Sequence, residues 1–340
     1  MDKPLILSSP DPRSIDMIFT GAAKAALLDR YRIVEVETDG VGALPDATLV
    51  EVRYVLGQPP IPADVLARMT GLRAVLNVES NLYLNMPYDL LFQRGIHVLT
   101  TGAVFAEPVA EIGLAFAINL LRDVVDADLA FRTGGELWGF AGNRQARLLS
   151  GASVGLIGFG DLGRAVKRVL TGFHCQISAY DPWLPPSVIR EHGAKPASLD
   201  DVLSGSDVVF CVASVTGENE GFLDATHFAR MRQGAVFILL SRAGVVNFDD
   251  LMSAVRSGHI LAASDVFPEE PPAQDHPVRG LKGFLRSAHR AGALDIALKR
   301  MGDMVLEDMD LMDRGLPPLR CKRAERETVS RMRSRPVDKT

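Results

Sequence analysis

The sequence predicts an α/β protein built from doubly wound parallel sheets in two domains. Short apolar runs alternate with helical patterns of apolar residues through most of the chain, as in a parallel sheet covered by helices. A glycine-rich turn at residues 155–163 joins a predicted buried strand to a predicted helix. The chain has 340 residues, which is enough for two domains of ordinary size.

The first hundred residues predict a sheet of their own. Strands are expected at residues 5–7, 32–36, 49–52, 73–78 and 96–99, and helices at residues 22–28, 63–69 and 88–93. This segment has no glycine fingerprint for a dinucleotide. We therefore expect the first domain to hold a different ligand.

A long apolar helix is predicted next, over residues 107–122, with Pro108 suited to its first turn. It is apolar on most faces, which indicates burial against a subunit interface or the link between domains as well as its own sheet. Gly134 and Gly135 are expected to end it. Asn119 interrupts its apolar run, so no membrane span is predicted.

A second alternating unit runs through residues 153–289. Its strands are expected at residues 154–157, 177–180, 208–212, 236–240, 260–263 and 284–287. Six strands with intervening helices match a doubly wound nucleotide-binding sheet. A helix is expected at residues 293–312, where core packing explains the methionines, and the basic tail at residues 320–340 is expected to be disordered.

The glycines of the central turn have separate tasks. Gly158 permits the tight turn, Gly160 lets a pyrophosphate approach the backbone, and Gly163 lets helix and strand pack closely. The phosphates would lie at the helix N-terminus, where free N–H groups and the macrodipole favour an anion. Asp181 follows Gly163 by 18 positions, about where an acid binds the adenosine ribose, and an acid there favours NAD over NADP. The alternative is that Asp181, which precedes Pro182, is only a turn residue.

Composition narrows the class of protein. The chain is 47% hydrophobic and 23% charged, which is ordinary for a soluble globular protein. A net charge of −5 gives no general attraction to nucleic acid or to an anionic membrane. The first residues lack a signal-peptide pattern, so a cytoplasmic protein is expected. The three cysteines are widely spaced and no H-E-x-x-H pair occurs, so neither a disulfide framework nor a metal site is predicted.

Three candidate catalytic residues follow predicted strands of the second unit: Arg242, Glu270 and His289. Ligands of an open α/β sheet bind at the carboxyl ends of its strands. Arginine grips a carboxylate through two nitrogens, and histidine can give or take a proton near working pH. A carboxylate beside the histidine would fix its orientation. Each residue alone has a plainer explanation as a surface charge, part of an acidic loop or an exposed histidine.

Together these motifs carry a family resemblance. From about residue 72 to residue 292 the sequence resembles the D-isomer-specific 2-hydroxyacid dehydrogenases. The shared motifs are the glycine turn, Asp181, R-x-G-x-V at residues 242–246, D-V-F-x-x-E-P at residues 265–271, and V-A-E at residues 109–111. The resemblance implies that Arg242 anchors the substrate and that His289 acts as acid and base with Glu270 as its partner. It also implies NAD as cofactor, a small-molecule 2-hydroxy or 2-keto acid as substrate, and a homodimer joined through the NAD-binding domains.

The resemblance further implies two Rossmann-like domains, with a flavodoxin-like substrate domain that is split in the sequence. Residues 1–102 and 293–325 would form the substrate domain, residues 103–292 the NAD-binding Rossmann domain, and residues 326–340 a basic, disordered tail. Residues expected to contact NAD are Gly158, Phe159, Gly160, Asp161, Leu162, Gly163, Asp181, Val212, Ala213, Ser241, Asp265 and His289. Residues expected to contact the substrate are Ser80, Asn81, Leu82, Arg242 and His289.

The chain departs from the family's pattern at the loop that binds the substrate carboxylate. Where the family usually has G-x-G, this sequence has Ser80, Asn81 and Leu82, preceded by Glu79. Glycines there let backbone amides approach the carboxylate, so the replacements favour a larger hydroxylated acid.

The predicted function is an NAD-dependent 2-hydroxyacid dehydrogenase that works as a 2-keto acid reductase. A reaction like that of formate dehydrogenase is disfavoured, because that relative carries glutamine where Glu270 stands. The alternative is a nucleotide-sensing binding protein of the corepressor type, which retains the triad and has little turnover.

Overall fold

The computed structural model describes residues 3–79 and 81–332, which divide into two compact units. The first unit takes in the residues up to Phe105 together with those from Ala293 onward. The second unit is Ala106–Gly292. Each is an α/β unit with a largely parallel sheet, so the predicted fold class is confirmed.

The described residues up to Phe105 form five strands and five α-helices. The strands are β1 (Leu5–Ser9), β2 (Arg32–Glu35), β3 (Val52–Gly57), β4 (Ala74–Asn77) and β5 (His97–Thr100). The helices are α1 (Ile15–Ile18), α2 (Gly21–Arg30), α3 (Asp46–Glu51), α4 (Ala63–Arg68) and α5 (Tyr88–Gln93).

The prediction of a strand at residues 49–52 is wrong. Helix α3 runs through Glu51, and strand β3 begins at Val52. Leu49 and Val52 are both fully buried while Val50 is 49% exposed. A spacing of three between buried residues is helical, so a short apolar run that resembles one strand is divided between two elements.

Residues 106–292, all of which the structure describes, form seven α-helices and seven strands. The helices are α6 (Ala106–Arg122), α7 (Val124–Arg132), α8 (Asp161–Val169), α9 (Pro186–Glu191), α10 (Leu199–Gly205), α11 (Ala225–Phe228) and α12 (Phe248–Arg256). The strands are β6 (Ser153–Ile157), β7 (Gln176–Tyr180), β8 (Lys195–Pro196), β9 (Val208–Cys211), β10 (Val236–Leu239), β11 (Leu261–Ser264) and β12 (Phe284–Arg286).

The second sheet is parallel throughout, in the order β12-β11-β10-β9-β6-β7-β8. The six predicted strands are present, and the short β8 extends one edge. The strand order reverses between β6 and β9, and ligands of doubly wound sheets bind at such a switch point. The glycine turn follows β6, so it lies at this point.

Helix α6 ends at Arg122 and not at Gly134 as predicted. Asp123 adopts a left-handed conformation with φ of 55°, and a separate helix α7 follows. Residues 102–122 are long and apolar enough, by length and composition alone, to cross a membrane. A core helix passes the same test, and α6 packs against α8 and β10, with Gly113 close enough to Leu240 that a Cβ would lie 2.6 Å from its Cδ1.

The chain then returns to the first unit through α13 (Asp295–Asp313), β13 (Lys322–Arg323) and α14 (Arg326–Val329). The first sheet has the order β13-β5-β4-β3-β1-β2, in which β1 to β5 are parallel and β13 is antiparallel to β5. Met301, Met309 and Met312 of α13 lie in the core of this unit. The predicted core role of these methionines is therefore confirmed.

The prediction of a disordered tail is wrong for residues 320–332. The fully buried carboxylate of Asp308 on α13 accepts the backbone N–H groups of Leu319, Arg320 and Cys321 at 2.7, 2.9 and 2.8 Å. These charge-assisted hydrogen bonds hold the segment that leads into β13. Val329 and Met332 pack against the core, and residues 333–340 lie outside the described residues.

Candidate active site

The glycine turn has the geometry that a dinucleotide requires. Gly158 has φ of 94°, and a Cβ there would lie 2.7 Å from the Cα of Ala213. A Cβ on Gly163 would lie 2.5 Å from the carbonyl oxygen of Gly158. A Cβ on Gly160 would meet no protein atom within 4 Å, so packing alone does not require glycine there. The space beside Gly160 is open. Gly160 is the N-cap of α8 and provides no side-chain hydrogen bond, which leaves N–H groups of the first turn for a pyrophosphate.

Asp181 follows β7, and its carboxylate accepts hydrogen bonds both from the glycine turn and from the turn that Asp181 itself begins. Its Oδ2 accepts the N–H of Phe159 at 2.8 Å, and its Oδ1 accepts the N–H of Trp183 at 3.0 Å. Each oxygen retains a lone pair for a ribose hydroxyl. The turn interpretation and the ribose interpretation are therefore compatible, and the bond to Phe159 is one that the sequence did not indicate.

The remaining residues expected to contact NAD lie near the same edge of the second sheet. Val212 and Ala213 follow β9, Ser241 follows β10, and Asp265 follows β11. Within the glycine turn the side chain of Phe159 is fully buried, so only its backbone can face a ligand. Asp161 and Leu162 lie in the first turn of α8, where Asp161 is exposed.

Asp265 supports the loop that carries His289. It is 2% exposed, and its carboxylate accepts the hydroxyl of Ser287 and the N–H groups of Arg290 and Ala291, the latter two at 3.0 Å. Its carbonyl oxygen accepts the N–H of His289 at 2.8 Å. His289 has φ of 47°, and these bonds hold the backbone in that left-handed conformation.

Glu270 and His289 form a close pair. Glu270 follows β11 and His289 follows β12, and neighbouring strands bring them together. The Nδ1 atom of His289 lies 2.6 Å from Oε2 of Glu270, while Oε1 accepts the N–H of Phe267 at 2.8 Å. Because the carboxylate can only accept, Nδ1 carries the proton of this bond and Nε2 remains for a substrate.

The carboxyl of Glu270 is held in its charged form. Burial raises its pKa, but the hydrogen bonds from His289 and the Phe267 N–H, with the positive charges of His289 and Arg242, hold it below its ordinary value. Arg242 follows β10 and donates from Nη1 to the carbonyl oxygen of Ser241 at 2.8 Å. The second unit thus brings a guanidinium, a carboxylate and an imidazole to one edge of its sheet.

The substrate-loop residues lie in the first unit. Ser80 is outside the described residues. Asn81 is exposed, and its carbonyl oxygen accepts Nδ2 of Asn77 at 3.1 Å. The side chain of Leu82 is 8% exposed and packs into the core, so only its backbone could meet a ligand. Glu79 is paired with Arg13, whose Nε lies 2.9 Å from Oε1.

A buried amide that sequence reasoning missed holds this loop. Gln58 is 7% exposed, and its Nε2 lies 2.7 Å from the carbonyl oxygen of Tyr83 and 2.9 Å from Oδ1 of Asn85. Its Oε1 accepts Nδ2 of Asn77 at 2.8 Å and the N–H of Tyr83 at 3.2 Å. Gln58 therefore ties both sides of the loop to the end of β3. Its position directly after a buried strand was the only sequence signal.

Comparisons with known proteins show what the chain is similar to. Residues 114–291 match the family model described as "D-isomer specific 2-hydroxyacid dehydrogenase, NAD binding domain". A glyoxylate reductase from Korarchaeum cryptofilum is 31% identical over 264 residues, which cover 76% of this chain and 79% of that protein. A D-3-phosphoglycerate dehydrogenase from Mycobacterium leprae is 29% identical over 84% of this chain, and the chain spans 54% of its length.

A solved structure is more similar still. The crystal structure of a phosphoglycerate oxidoreductase from Rhizobium etli is 64% identical. The match covers 95% of this chain and 99% of that one, with a TM-score of 0.90.

Proposed function

We propose, from the premise that the chain belongs to the D-isomer-specific 2-hydroxyacid dehydrogenase family, that it transfers a hydride between NAD(H) and a 2-hydroxy or 2-keto acid. The observation that carries this proposal is the 2.6 Å bond between His289 and Glu270 on the unit with the glycine turn. A histidine held by a carboxylate is the acid and base that a hydroxyl-to-carbonyl conversion needs.

In this mechanism the residues of the chain bind the cofactor and transfer the proton. The turn from Gly158 to Gly163 and the N-terminus of α8 would hold the pyrophosphate, and Asp181 the adenosine ribose. When bound, the nicotinamide supplies the hydride in reduction and accepts it in oxidation. Nε2 of His289 would give its proton to the substrate oxygen in reduction and take it back in oxidation. Glu270 fixes the imidazole and stabilises its charged form, and Arg242 would hold the substrate carboxylate.

For the substrate, we propose a 2-hydroxy acid that carries an anionic or strongly polar group on the carbon after the hydroxyl-bearing one. The candidates that we favour are 3-phosphoglycerate and its keto acid. The name of the 64% identical Rhizobium etli protein supports this choice. The ion pair of Glu79 with Arg13 also supports this choice. The positive charge of Arg13 compensates the negative charge of Glu79, so Glu79 would repel an anionic substrate at the loop less strongly. The polar residues at Ser80 and Asn81 favour a larger acid than glyoxylate.

A substrate panel tests the proposal. The purified protein is mixed with NADH and with glyoxylate, hydroxypyruvate or 3-phosphohydroxypyruvate, and NADH absorbance is followed. We expect turnover, with the highest kcat/KM for the phosphorylated acid. Turnover that is highest with glyoxylate would contradict the substrate proposal alone. No turnover with any acid by a protein that binds NADH would contradict the reaction itself.

We also propose that the protein is a homodimer in the cytoplasm. Large apolar side chains are exposed in residues 124–148, which is unusual for a surface without a partner. They are Val124, Val125, Leu129, Phe131, Leu137, Trp138, Phe140 and Leu148, with Trp138 75% and Phe140 82% exposed. Light scattering is expected to give twice the chain mass, and W138S/F140S is expected to lower it. A monomeric wild-type protein would refute the dimer.

A further inference from the structure

A cationic cavity lies on helix α8, on residues that the proposed reaction does not use. The cavity has a volume of about 330 Å³ and is lined by Arg164, Lys167, Arg168, Thr171 and His192. The first four occur at spacings of three, four and seven, so they share one face of α8 and the turn that follows. None of the five lining residues is acidic.

The positive charges on this face are poorly compensated. Arg168 has an exposed ion pair with Glu107 at 3.3 Å. Within residues 3–79 and 81–332, neither Arg164 nor Lys167 forms an ion pair with a carboxylate. Like charges three and four positions apart on a helix repel each other. An anion in the cavity would relieve this repulsion.

Arg164 distinguishes this site from an ordinary basic helix end. Lys167 and Arg168 lie in the last turn of α8, where the macrodipole favours cations. Arg164 is the fourth residue of α8, near the positive end, where a cation is disfavoured. Its Nε is buried and has no hydrogen-bond partner among the described residues. A buried guanidinium nitrogen without an acceptor is costly, and a shift of the side chain toward a ligand oxygen in the cavity would relieve that cost.

His192 completes the lining of the cavity. Its Nδ1 lies 3.0 Å from the carbonyl oxygen of Val188, and since a carbonyl can only accept, Nδ1 is the donor. Nε2 is thus the ring atom available to a ligand. The imidazole also meets the ring of Phe159 edge-on, with centroids 6.3 Å apart, beside the glycine turn.

We propose that this face of α8 binds a phosphate group, at a site separate from that of the dinucleotide. Arg164 and Lys167 would supply charge-assisted hydrogen bonds, Arg168 a further charge, and Thr171 and His192 polar contacts. The cavity volume is at the lower end of the range of small-molecule sites. The ligand class is therefore inorganic phosphate or a small phosphate monoester.

The test measures the thermal midpoint of the protein with saturating NADH, so that the dinucleotide site is filled. Inorganic phosphate is titrated at constant ionic strength, with chloride as the balancing anion. We expect a saturable rise in Tm for the wild type and at least roughly tenfold weaker binding for R164Q/K167Q. R256Q is the matched control, because Arg256 is an exposed cation in the last turn of α12 and should leave phosphate binding unchanged.

Two results would overturn the site. One is the absence of a saturable rise in the wild type, and the other is equal phosphate affinity in the wild type and R164Q/K167Q. If the double variant does not fold, K167Q and R164K make the same comparison: neutralising Lys167 should weaken phosphate binding, and R164K, which keeps the charge, should weaken it less than R164Q. Equal affinity in all single variants would also exclude the site.

Discussion

The substitution Glu270→Gln isolates the charge of one carboxylate from its shape. Glutamine keeps the length of the side chain and an oxygen that can accept Nδ1–H of His289. It removes the negative charge that lies 2.6 Å from the imidazole nitrogen. The structure therefore predicts a loss of proton transfer without a loss of NADH binding.

The size of the effect follows from the separation and the exposure of the pair. Coulomb's law gives about 1.6 kcal/mol at this distance for the dielectric constant of water, and about twentyfold more for a dry interior. The side chains of His289 and Glu270 are 36% and 25% exposed, so a value near the lower limit applies. A loss of about 2 kcal/mol in stabilising the charged imidazole lowers kcat about 30-fold.

The assay is steady-state reduction of the best keto acid at neutral pH, with kcat and both KM values measured. Glu269→Gln is the matched control, since Glu269 is the adjacent acid and is exposed. We expect kcat of E270Q to fall about 30-fold with KM for NADH unchanged, and E269Q to behave as wild type. An E270Q enzyme that keeps more than roughly a third of the wild-type kcat would refute the role of the carboxylate charge.

The same variant makes a prediction for stability. Because the pKa of Glu270 is lower in the folded protein, its charged form stabilises the fold above the ordinary value of 4.5. This contribution is lost as the pH falls through the lowered pKa. The difference in free energy of unfolding between wild type and E270Q should be constant near neutral pH and shrink at acidic pH, as measured by urea unfolding. A difference that grows on acidification would show that the pKa is raised instead.

Three further substitutions test other parts of the site. His289→Ala should lower kcat roughly 100-fold or more while NADH affinity, measured by fluorescence titration, stays within about threefold; a fully active variant would remove His289 from the mechanism. Asp181→Asn should shift the ratio of kcat/KM for NADH over NADPH roughly tenfold toward NADPH, and an unchanged ratio would contradict its ribose role. Gln58→Leu should lower the free energy of unfolding by about 1–3 kcal/mol and raise KM for the keto acid but not for NADH. Equal changes in both KM values would mean that Gln58 has only a structural role.

The buried parallel strands were readable from the sequence because both of their faces are covered. In the second unit, all six predicted strands were found within one residue. The four central ones, β6, β9, β10 and β11, are almost wholly buried, and a strand buried on both sides is a largely apolar run. The glycine turn was equally readable, because Gly158 needs a positive φ and Gly163 lies against Gly158 within the same turn.

Features that depend on distant or unusual contacts could not be read in the same way. The break at Asp123 has no glycine or proline to mark it, although the residue is left-handed. The conformation of residues 319–321 is fixed by hydrogen bonds to Asp308, a single carboxylate on another element. The network around Gln58 joins side chains some twenty to thirty positions away, and no local pattern indicates such pairings.

The return of the chain to its first unit has a consequence for biosynthesis. Residues up to Phe105 emerge from the ribosome long before α13 and β13 are synthesised. These later elements complete the core of the first unit and the edge of its sheet. The middle segment is contiguous and can become compact as it emerges. Strands β1 to β5 therefore have an exposed apolar face until Met301, Met309 and Met312 are synthesised and pack against it. Order of synthesis and order of folding are therefore opposed, and nascent chains stalled before α13 should be the ones that chaperones retain.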